Sequence, residues 1–329
     1  MDNIYICTTY YHVFISIIKT LINKDESNTL FICSNWNDNS LISDQNLVER
    51  IKKSKIFKDV KAFDIFKYYN ISNNNKEVSF IKKISILNKY KKEPYVDFKE
   101  YSNIILFSDA TFIGRIINYQ NLKYYLLEDG MDVYLNNKKH IKSKSNLYNF
   151  IKKNILKMPD MGESKNIISI EVNNKKDIYL QNQTIIEVPR KQLFAKLTNE
   201  DKEKIIKTFI PQMNYSNKES VSLLITQPLY KDNKLKSETE QIELYRKICN
   251  EYLKDEYIII KTHPRENVDY NKLNLKQEYT IVTEKFPIEV LNFIPNIKFN
   301  KIITVSSTSI NILDNYNEKI VLGWEYIEK

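Results

Sequence analysis

Short runs of β-branched and aromatic residues, each closed by polar residues, are the feature that most constrains the fold of this chain. The clearest is residues 257–260 (YIII), which Pro264 follows closely. Because every position of the run is apolar, both faces of the strand need cover, which is typical of a parallel sheet between layers of helices. Similar runs recur along the chain, and the sequence therefore predicts an α/β fold.

A histidine follows this run within the segment KTHPR, residues 261–265. In open α/β sheets, ligands bind outside the carboxyl ends of the strands. His263 is therefore predicted to lie near a ligand, and the neighbouring Lys261 and Arg265 suit a phosphate leaving group. A histidine after a strand is also an ordinary turn residue, so the local sequence leaves both interpretations open.

The N-terminal half repeats the order of apolar run, polar turn and helical pattern. Strands are predicted at residues 3–8, 29–34, 60–62, 103–107, 123–127, 167–170, 178–180 and 184–188, with helices at 13–22, 45–52 and 110–117. Residues 70–92 are expected to be solvated surface, irregular and helical by turns. The first turn contains Thr9 and His12, two candidate substrate contacts. It has no glycine, which excludes a dinucleotide-binding fingerprint.

An acidic turn follows the apolar run at residues 123–127. It consists of Glu128, Asp129 and Gly130, and glycine makes such a turn without strain. An Asp-Gly pair also occurs in ordinary β-hairpins. The continuous apolar run before it favours a buried parallel strand, with two carboxylates held at its end.

The second half restarts the same order after a charged connection around residues 189–215. Strands are predicted at residues 221–226, 257–260, 280–282, 301–305 and 320–324, with helices at 237–252, 287–293 and 310–316. Two domains are therefore expected, over residues 1–195 and 196–329. Thr226 and Gln227, in the turn after the first of these strands, are further candidate substrate contacts.

Four hydroxyl residues at positions 306–309 precede the last predicted helix. Hydroxyl groups and free backbone amides at a helix N-terminus suit a phosphate or a carboxylate. One of these residues is expected to serve as the N-cap. Four in succession exceed what capping requires, which makes Ser306 and Ser307 candidate anion contacts.

Composition and charge exclude several classes of function. The chain has 329 residues and a formal net charge of +9, with the excess Lys spread out. A nucleic-acid-binding face needs clustered charge, so no nucleic-acid partner is expected. The three cysteines lack metal-site spacing. No apolar run reaches the ~18 residues of a membrane-spanning helix, so a cytoplasmic protein, at most peripheral at the inner membrane face, is expected.

Together these motifs resemble the bacterial sialyltransferases, most closely the lipooligosaccharide sialyltransferase group, glycosyltransferase family 52. The resemblance is carried by the acidic turn, by residues 261–264 (KTHP), by residues 286–289 (FPIE) and by the pair Ser306 and Ser307. The opening residues 6–9 and the Thr-Gln-Pro turn are also similar. Order and spacing agree over nearly the whole chain, although Tyr10 stands where relatives commonly have a proline.

The resemblance implies a GT-B architecture, in which two Rossmann-like domains face a central cleft. The first would lie on the acceptor side and the second would bind the CMP-sugar. The implied reaction is inverting transfer of sialic acid from CMP-sialic acid to a terminal sugar, galactose by family expectation, of a lipooligosaccharide or capsular glycan. Relatives also include an intertwined dimer, so a homodimer is a further expectation.

The resemblance also implies roles for individual residues. His263 would bind the departing phosphate and act as general acid, and Lys261 would lie beside the donor. Pro264 would lie near the cytosine, and Glu289 would hold the ribose hydroxyls. Ser306 and Ser307 would bind the phosphate.

Attack on the anomeric carbon also needs a base that deprotonates a sugar hydroxyl. Asp129 is the candidate, with Glu128 supporting the turn. Asp232, Glu238 and Glu240, which follow the Thr-Gln-Pro turn, are the alternatives.

A protonated histidine and backbone amides can stabilise a departing phosphate without a metal. Since no Asp-x-Asp motif follows an apolar strand, neither a metal nor a cofactor is expected. Two other functions remain open: a GT-B transferase for another nucleotide sugar, and a non-catalytic sugar-nucleotide-binding module of capsule assembly.

Overall fold

The computed structural model describes residues 2–34, 39–71, 80–129, 161–176, 178, 180, 183–211, 220–295 and 297–327. The chain separates into two compact units, Met1–Asp201 and Lys202–Lys329. Sequence analysis predicts the division after residue 195, a short way before this boundary. Gly130 of the acidic turn lies outside the described residues.

The first unit is built on a parallel sheet with the strand order β3-β2-β1-β4-β5-β6-β7. Every neighbouring pair runs parallel. The carboxyl ends of the strands therefore share one edge. The strands are β1 (Asp2–Cys7), β2 (Ser27–Cys33), β3 (Asp59–Phe63), β4 (Asn103–Leu106), β5 (Tyr124–Leu127), β6 (Ile167–Val172) and β7 (Ile185–Glu187).

Helices connect these strands, and the first of them is almost entirely apolar. Thr9 caps this helix by accepting a hydrogen bond from the His12 backbone N–H, and most of the residues that follow are buried. The helices are α1 (Tyr10–Ile22), α2 (Ser40–Ser43), α3 (Gln45–Ser54), α4 (Ile65–Tyr68), α5 (Phe80–Lys92), α6 (Phe112–Tyr119) and α7 (Arg190–Ala195). The unit boundary falls within α8 (Asn199–Phe209).

The second unit contains a parallel sheet with the strand order β10-β9-β8-β11-β12. Ser237 caps its long helix, α9 (Glu238–Tyr252), by accepting from the Glu240 backbone N–H. The strands are β8 (Val221–Ile225), β9 (Tyr257–Lys261), β10 (Tyr279–Val282), β11 (Phe299–Thr304) and β12 (Tyr316–Val321). With two parallel sheets, the predicted α/β class is confirmed.

Three local predictions are wrong. The residues described within 178–180 are not part of a strand, although Ile178 and Leu180 pack against the core of the first unit. The predicted helices at 287–293 and 310–316 are replaced by the 3-10 turns Ile288–Phe293 and Thr308–Ile312. The second of these segments also contains Asp and Asn, which favour turns over helix interiors.

Each unit has its own apolar core. In the first, Ile4, Phe31 and Ile113 are among the fully or almost fully buried side chains on and around the sheet. In the second, Leu224, Ile258 and Ile303 of three neighbouring strands are completely buried. Within the described part of the chain, no helix is both long and apolar enough to cross a membrane.

Candidate functional site

The carboxyl edge of the first sheet brings His12 and Asp129 together. His12 lies in the first turn of α1, which follows β1, and Asp129 follows β5, two positions along the sheet. The His12 Nε2 atom hydrogen-bonds to Asp129 Oδ1. Although the two residues are far apart in sequence, the strand order β1-β4-β5 makes them neighbours.

The surroundings of His12 determine which ring nitrogen carries the proton. The Thr8 backbone N–H donates to His12 Nδ1 at 3.1 Å, so Nδ1 must be unprotonated and the neutral ring carries its proton on Nε2. The ring is 1 % exposed and stacks on Phe107, with centroids 4.4 Å apart. His12 is therefore a fixed N–H donor directed at the Asp129 carboxylate.

The two carboxylates of the acidic turn have different environments. Glu128 is buried and accepts a hydrogen bond from the backbone N–H of Asn173, so it ties the end of β5 to the end of β6. The Asp129 side chain is 20 % exposed and uses Oδ1 for His12. Glu128 therefore holds the end of β5, and Asp129 is the carboxylate of the turn that is partly exposed.

The second unit carries His263 in the loop directly after β9. Its backbone N–H donates to Glu266 Oε1 at 2.6 Å and to Thr226 Oγ1 at 3.2 Å. Its Nδ1 accepts from the Arg265 backbone N–H at 3.1 Å. Among the described residues no hydrogen bond reaches Nε2, so this nitrogen is left to meet a ligand.

Glu266 is a functional residue that sequence analysis misses. Besides the His263 N–H, it accepts hydrogen bonds from Thr226 Oγ1, from Tyr270 Oη at 3.0 Å and from Gln241 Nε2 at 3.0 Å. Burial raises the pKa of Glu266, and these hydrogen bonds oppose that shift. Glu266 therefore fixes the loop of His263 through the hydrogen bond to its backbone N–H. The sequence offers only the position of Glu266, three residues after His263, as a sign of this role.

Cationic groups converge on this loop. Burial lowers the pKa of Lys261 to about 8, and its Nζ lies 4.5 Å from the centre of the Phe286 ring. Burial, followed by the charges of Arg265 and Lys261, lowers the pKa of His263 to about 4. An anion bound here would favour the charged forms of Lys261 and His263 and so raise both pKa values.

The loop after β11 is tied to the same network. The Ser306 backbone N–H donates to Gln227 Oε1 at 2.7 Å, and the Ser307 backbone N–H donates to Thr304 Oγ1 at 3.3 Å. Because both amides are engaged within the protein, a phosphate contact by Ser306 and Ser307 depends on their hydroxyls, and the Ser307 hydroxyl is already hydrogen-bonded to that of Ser309 at 2.6 Å. A five-residue 3-10 turn follows in place of the predicted helix.

The remaining predicted contacts have different exposures. Thr226 is completely buried and its hydroxyl is used by Glu266, so it supports the loop from within. The Thr9 hydroxyl oxygen caps α1 by accepting a hydrogen bond from the His12 backbone N–H. Pro264 is exposed beside His263, and Glu289 is half-buried at the start of the 3-10 turn Ile288–Phe293.

Comparison with known proteins decides the family. The profile of glycosyltransferase family 52 matches residues 25–322, which is most of the chain. The chain belongs to glycosyltransferase family 52. The resemblance seen in the acidic turn, the His-Pro segment and the serine pair is thereby confirmed.

One curated relative of this chain matches part of its length. It is an uncharacterised protein of Haemophilus influenzae, 31 % identical over 196 residues, which are 56 % of this chain and 58 % of the relative. The match thus spans little more than half of that relative's length.

Solved structures with similar folds share little sequence with this chain. The GT-B domain of a Photobacterium damselae sialyltransferase is 12 % identical, with a TM-score of 0.49 over 96 % of this chain and 89 % of that one. UDP-GlcNAc 2-epimerase of Neisseria meningitidis, bound to UDP-GlcNAc, is also 12 % identical, with a TM-score of 0.49 over 94 % of this chain and 79 % of that one.

The alternative candidate bases already have hydrogen-bonding partners. Both carboxylate oxygens of Asp232 accept from the Arg265 guanidinium, each at 3.0 Å. Glu240 accepts from the Lys236 backbone N–H at 2.6 Å, and Glu238 accepts from the Asp269 backbone N–H at 3.4 Å. These contacts support loops and the start of α9.

A large open depression of about 970 Å³ lies at the other edge of the second sheet. It is lined by Glu256, Tyr257 and Glu278, at the amino ends of β9 and β10. The carboxyl-edge rule for α/β sheets and the motif positions both place ligand chemistry at the opposite edge. In the whole of the described ranges, the depression included, no group of three or more His, Cys, Asp or Glu side chains is arranged to hold a metal ion.

Proposed function

We propose that this glycosyltransferase is an inverting sialyltransferase that uses CMP-sialic acid as donor. The acceptor would be a terminal sugar, galactose by family expectation, of a bacterial surface lipooligosaccharide or capsular glycan. The observation that carries the proposal is the contrast between two loops: one presents a carboxylate held by a neutral histidine, and the other presents a histidine Nε2 among cations.

The donor would bind to the second unit. His263 and Lys261 supply positive charge or N–H donors for the phosphate, and the hydroxyls of Ser306 and Ser307 supply further hydrogen bonds. Glu289 would accept from the ribose hydroxyls. Support comes from the network in which Gln227 and Glu266 hold the loops after β8, β9 and β11 in one arrangement.

His263 would become an acid only when the donor binds. With a pKa of about 4, the ring is neutral near pH 7 in the unliganded protein. The phosphodiester anion of the donor, within hydrogen-bonding reach of Nε2, favours the protonated ring. Protonation places a second proton on Nδ1, which then gives up the hydrogen bond that it accepts from the Arg265 N–H. Donor binding would thereby lead the ring to take up the proton that the leaving group later receives.

In the transfer step, one bond forms, one bond breaks and two protons change places. The acceptor hydroxyl oxygen bonds to the anomeric carbon of sialic acid while the bond from that carbon to the phosphate oxygen breaks, and CMP leaves with the electron pair. Asp129 takes the hydroxyl proton, and protonated His263 gives its proton to the phosphate. His12 is a positioning residue, because its N–H fixes Asp129 Oδ1 and leaves Oδ2 for the acceptor.

The direct test is product analysis with CMP-sialic acid and a panel of labelled galactosides. We expect a sialylated product, and activity that persists in EDTA. Activity lost on chelation and restored by Mg²⁺ or Mn²⁺ would contradict the metal-independent mechanism. No product with any acceptor would contradict sialyl transfer.

A thermal-shift titration with CMP, UDP and GDP tests the donor class independently. Stabilisation by CMP alone is expected. Stabilisation by UDP or GDP in place of CMP would indicate a transferase that uses another nucleotide sugar. Stabilisation by a nucleotide without any transfer would indicate a non-catalytic binding module. The proposal also includes a cytoplasmic location, a homodimer and peripheral contact with the inner membrane face.

A further inference from the structure

A second depression, of about 770 Å³, lies at the carboxyl end of β3 in the first unit. None of the residues around it has a role in the reaction proposed above. Its lining combines aromatic rings with hydrogen-bonding side chains: Ser43, Gln45, Asp64, Lys67, Tyr68 and Tyr95.

The aromatic wall of this depression is exposed and at the same time well fixed. Tyr68 is 45 % exposed and Tyr95 is 44 % exposed. Their ring centres are 6.1 Å apart, and the buried Phe63 ring lies 4.9 Å from Tyr95 and 5.3 Å from Tyr68. Tyr95 is also held by a hydrogen bond from Oη to the Ala62 carbonyl at 2.9 Å. Two aromatic faces are thus presented to a ligand with little freedom left to lose on binding.

Polar groups stand beside these rings. Asp64 uses Oδ1 to cap α4 through the Phe66 N–H at 2.9 Å, and Oδ2 has no hydrogen bond among the described residues. The Gln45 amide donates to the Ile42 carbonyl at 2.8 Å, which leaves its oxygen as an acceptor. A surface that pairs aromatic faces with acceptors and a Lys67 donor suits a pyranose sugar, whose C–H faces pack on rings and whose hydroxyls hydrogen-bond.

The position of the depression connects it with Asp129. Both lie at the carboxyl edge of one sheet, β3 being four positions from β5. At about 4.8 Å between neighbouring strands, the separation along the edge is roughly 19 Å. That distance is too long for the sugar that reacts and is suitable for sugars further along an extended acceptor.

We infer that this depression is a second acceptor subsite, which binds neutral hexoses several units away from the reacting galactose. The inference rests on the proposed function, and it assigns the length preference of the enzyme to Tyr68 and Tyr95. The subsite makes the enzyme favour a full surface oligosaccharide over a free disaccharide.

The test compares lactose with a hexasaccharide that ends in the same galactoside. In Tyr68→Ala and Tyr95→Ala, kcat/KM for the hexasaccharide should fall about three- to tenfold, the range expected for loss of one aromatic contact, while kcat/KM for lactose stays unchanged. Tyr95→Phe keeps the ring and loses only the hydrogen bond to the Ala62 carbonyl, so its loss should be smaller than that of Tyr95→Ala. Trp324→Ala, which removes an exposed aromatic side chain of the second unit, is the matched control.

Equal losses on both acceptors, or no loss on either, would overturn the subsite. Saturation-transfer NMR of the hexasaccharide without donor decides it independently of catalysis. Contacts to the distal sugars should appear in the wild type and vanish in Tyr68→Ala, even if the protein transfers nothing and the proposed function fails. Absence of distal contacts in the wild type contradicts the inference, as does binding of anionic vesicles that is lost in Tyr68→Ala without any sugar contact.

Discussion

His12 and His263 share one hydrogen-bonding pattern at the ring and differ in the charged groups around it. In each, Nδ1 accepts a backbone N–H, from Thr8 for His12 and from Arg265 for His263, so that Nε2 is directed away from the loop. His12 is sealed against Phe107 and faces Asp129, whereas His263 is half-buried beside Lys261. His12 thus serves a carboxylate of the protein itself as an N–H donor, whereas His263, whose charged neighbours include Lys261 and Arg265, is the proposed proton carrier for a bound phosphate.

The largest effect is expected when the proton carrier is removed. His263→Ala loses both the acid and a phosphate contact, so the rate of transfer should fall toward the upper end of the ~10²–10⁴-fold range of acid catalysis. CMP affinity, measured by calorimetry, should fall in the same variant. Retention of more than about a tenth of the wild-type rate would contradict the role, because general acid catalysis is worth far more than that.

Removal of the base should separate chemistry from binding. Asp129→Asn keeps the shape and a hydrogen bond to His12, yet it cannot take a proton, so kcat should fall about 10³-fold with CMP affinity unchanged. A thermal melt checks that the variant is folded. Asp232→Asn, Glu238→Gln and Glu240→Gln are the comparison set. If one of these is inactive while Asp129→Asn is active, the base lies in the second unit.

The positioning role of His12 predicts a smaller effect. His12→Leu removes the N–H donor and leaves the Thr8 amide without its acceptor, so kcat should fall about 10–100-fold, as for residues that orient other functional groups. His12→Gln retains a donor and should recover part of the loss. CMP affinity should be unchanged in both variants. If instead KM for the acceptor alone rises, His12 contacts the substrate and does not act through Asp129.

The smallest effect concerns the uptake of a proton by His263 when CMP binds. Since the pKa of His263 is about 4 in the unliganded protein and a bound phosphate raises it, CMP binding should take up protons between that value and the pKa of the complex. Affinity therefore gains from His263 as pH falls toward 6, by at most tenfold per pH unit.

Calorimetry in buffers of different ionisation enthalpy measures this uptake directly. His263→Gln is the control, because the phosphate of CMP also titrates near pH 6 and its contribution remains in the variant. Equal proton uptake in the two proteins would show that His263 does not gain a proton on binding. The contrast between the two histidines would then be one of position alone.

The loop that carries His263 can be predicted from the sequence because the residues that define it are close together along the chain. A continuous apolar run predicts β9, Pro264 ends it, and His263 must then lie at the carboxyl edge. The same reasoning places Asp129 after β5 and separates it from the buried Glu128. The lost helix after Ser307 shows the limit of this reasoning, since short segments with Asp and Asn gain too little from helical hydrogen bonds to form one.

The sequence by itself determined the α/β class, most strands and the loops that carry Asp129, His263 and the serine pair. Only the tertiary structure decided that His12 meets Asp129, that Glu266 holds the histidine loop, and that Tyr68 and Tyr95 form one wall. The physical reason is that apolar periodicity reports how deeply a strand is buried and not which strand lies beside it. Partners 117 residues apart, such as His12 and Asp129, become neighbours only through the strand order β1-β4-β5.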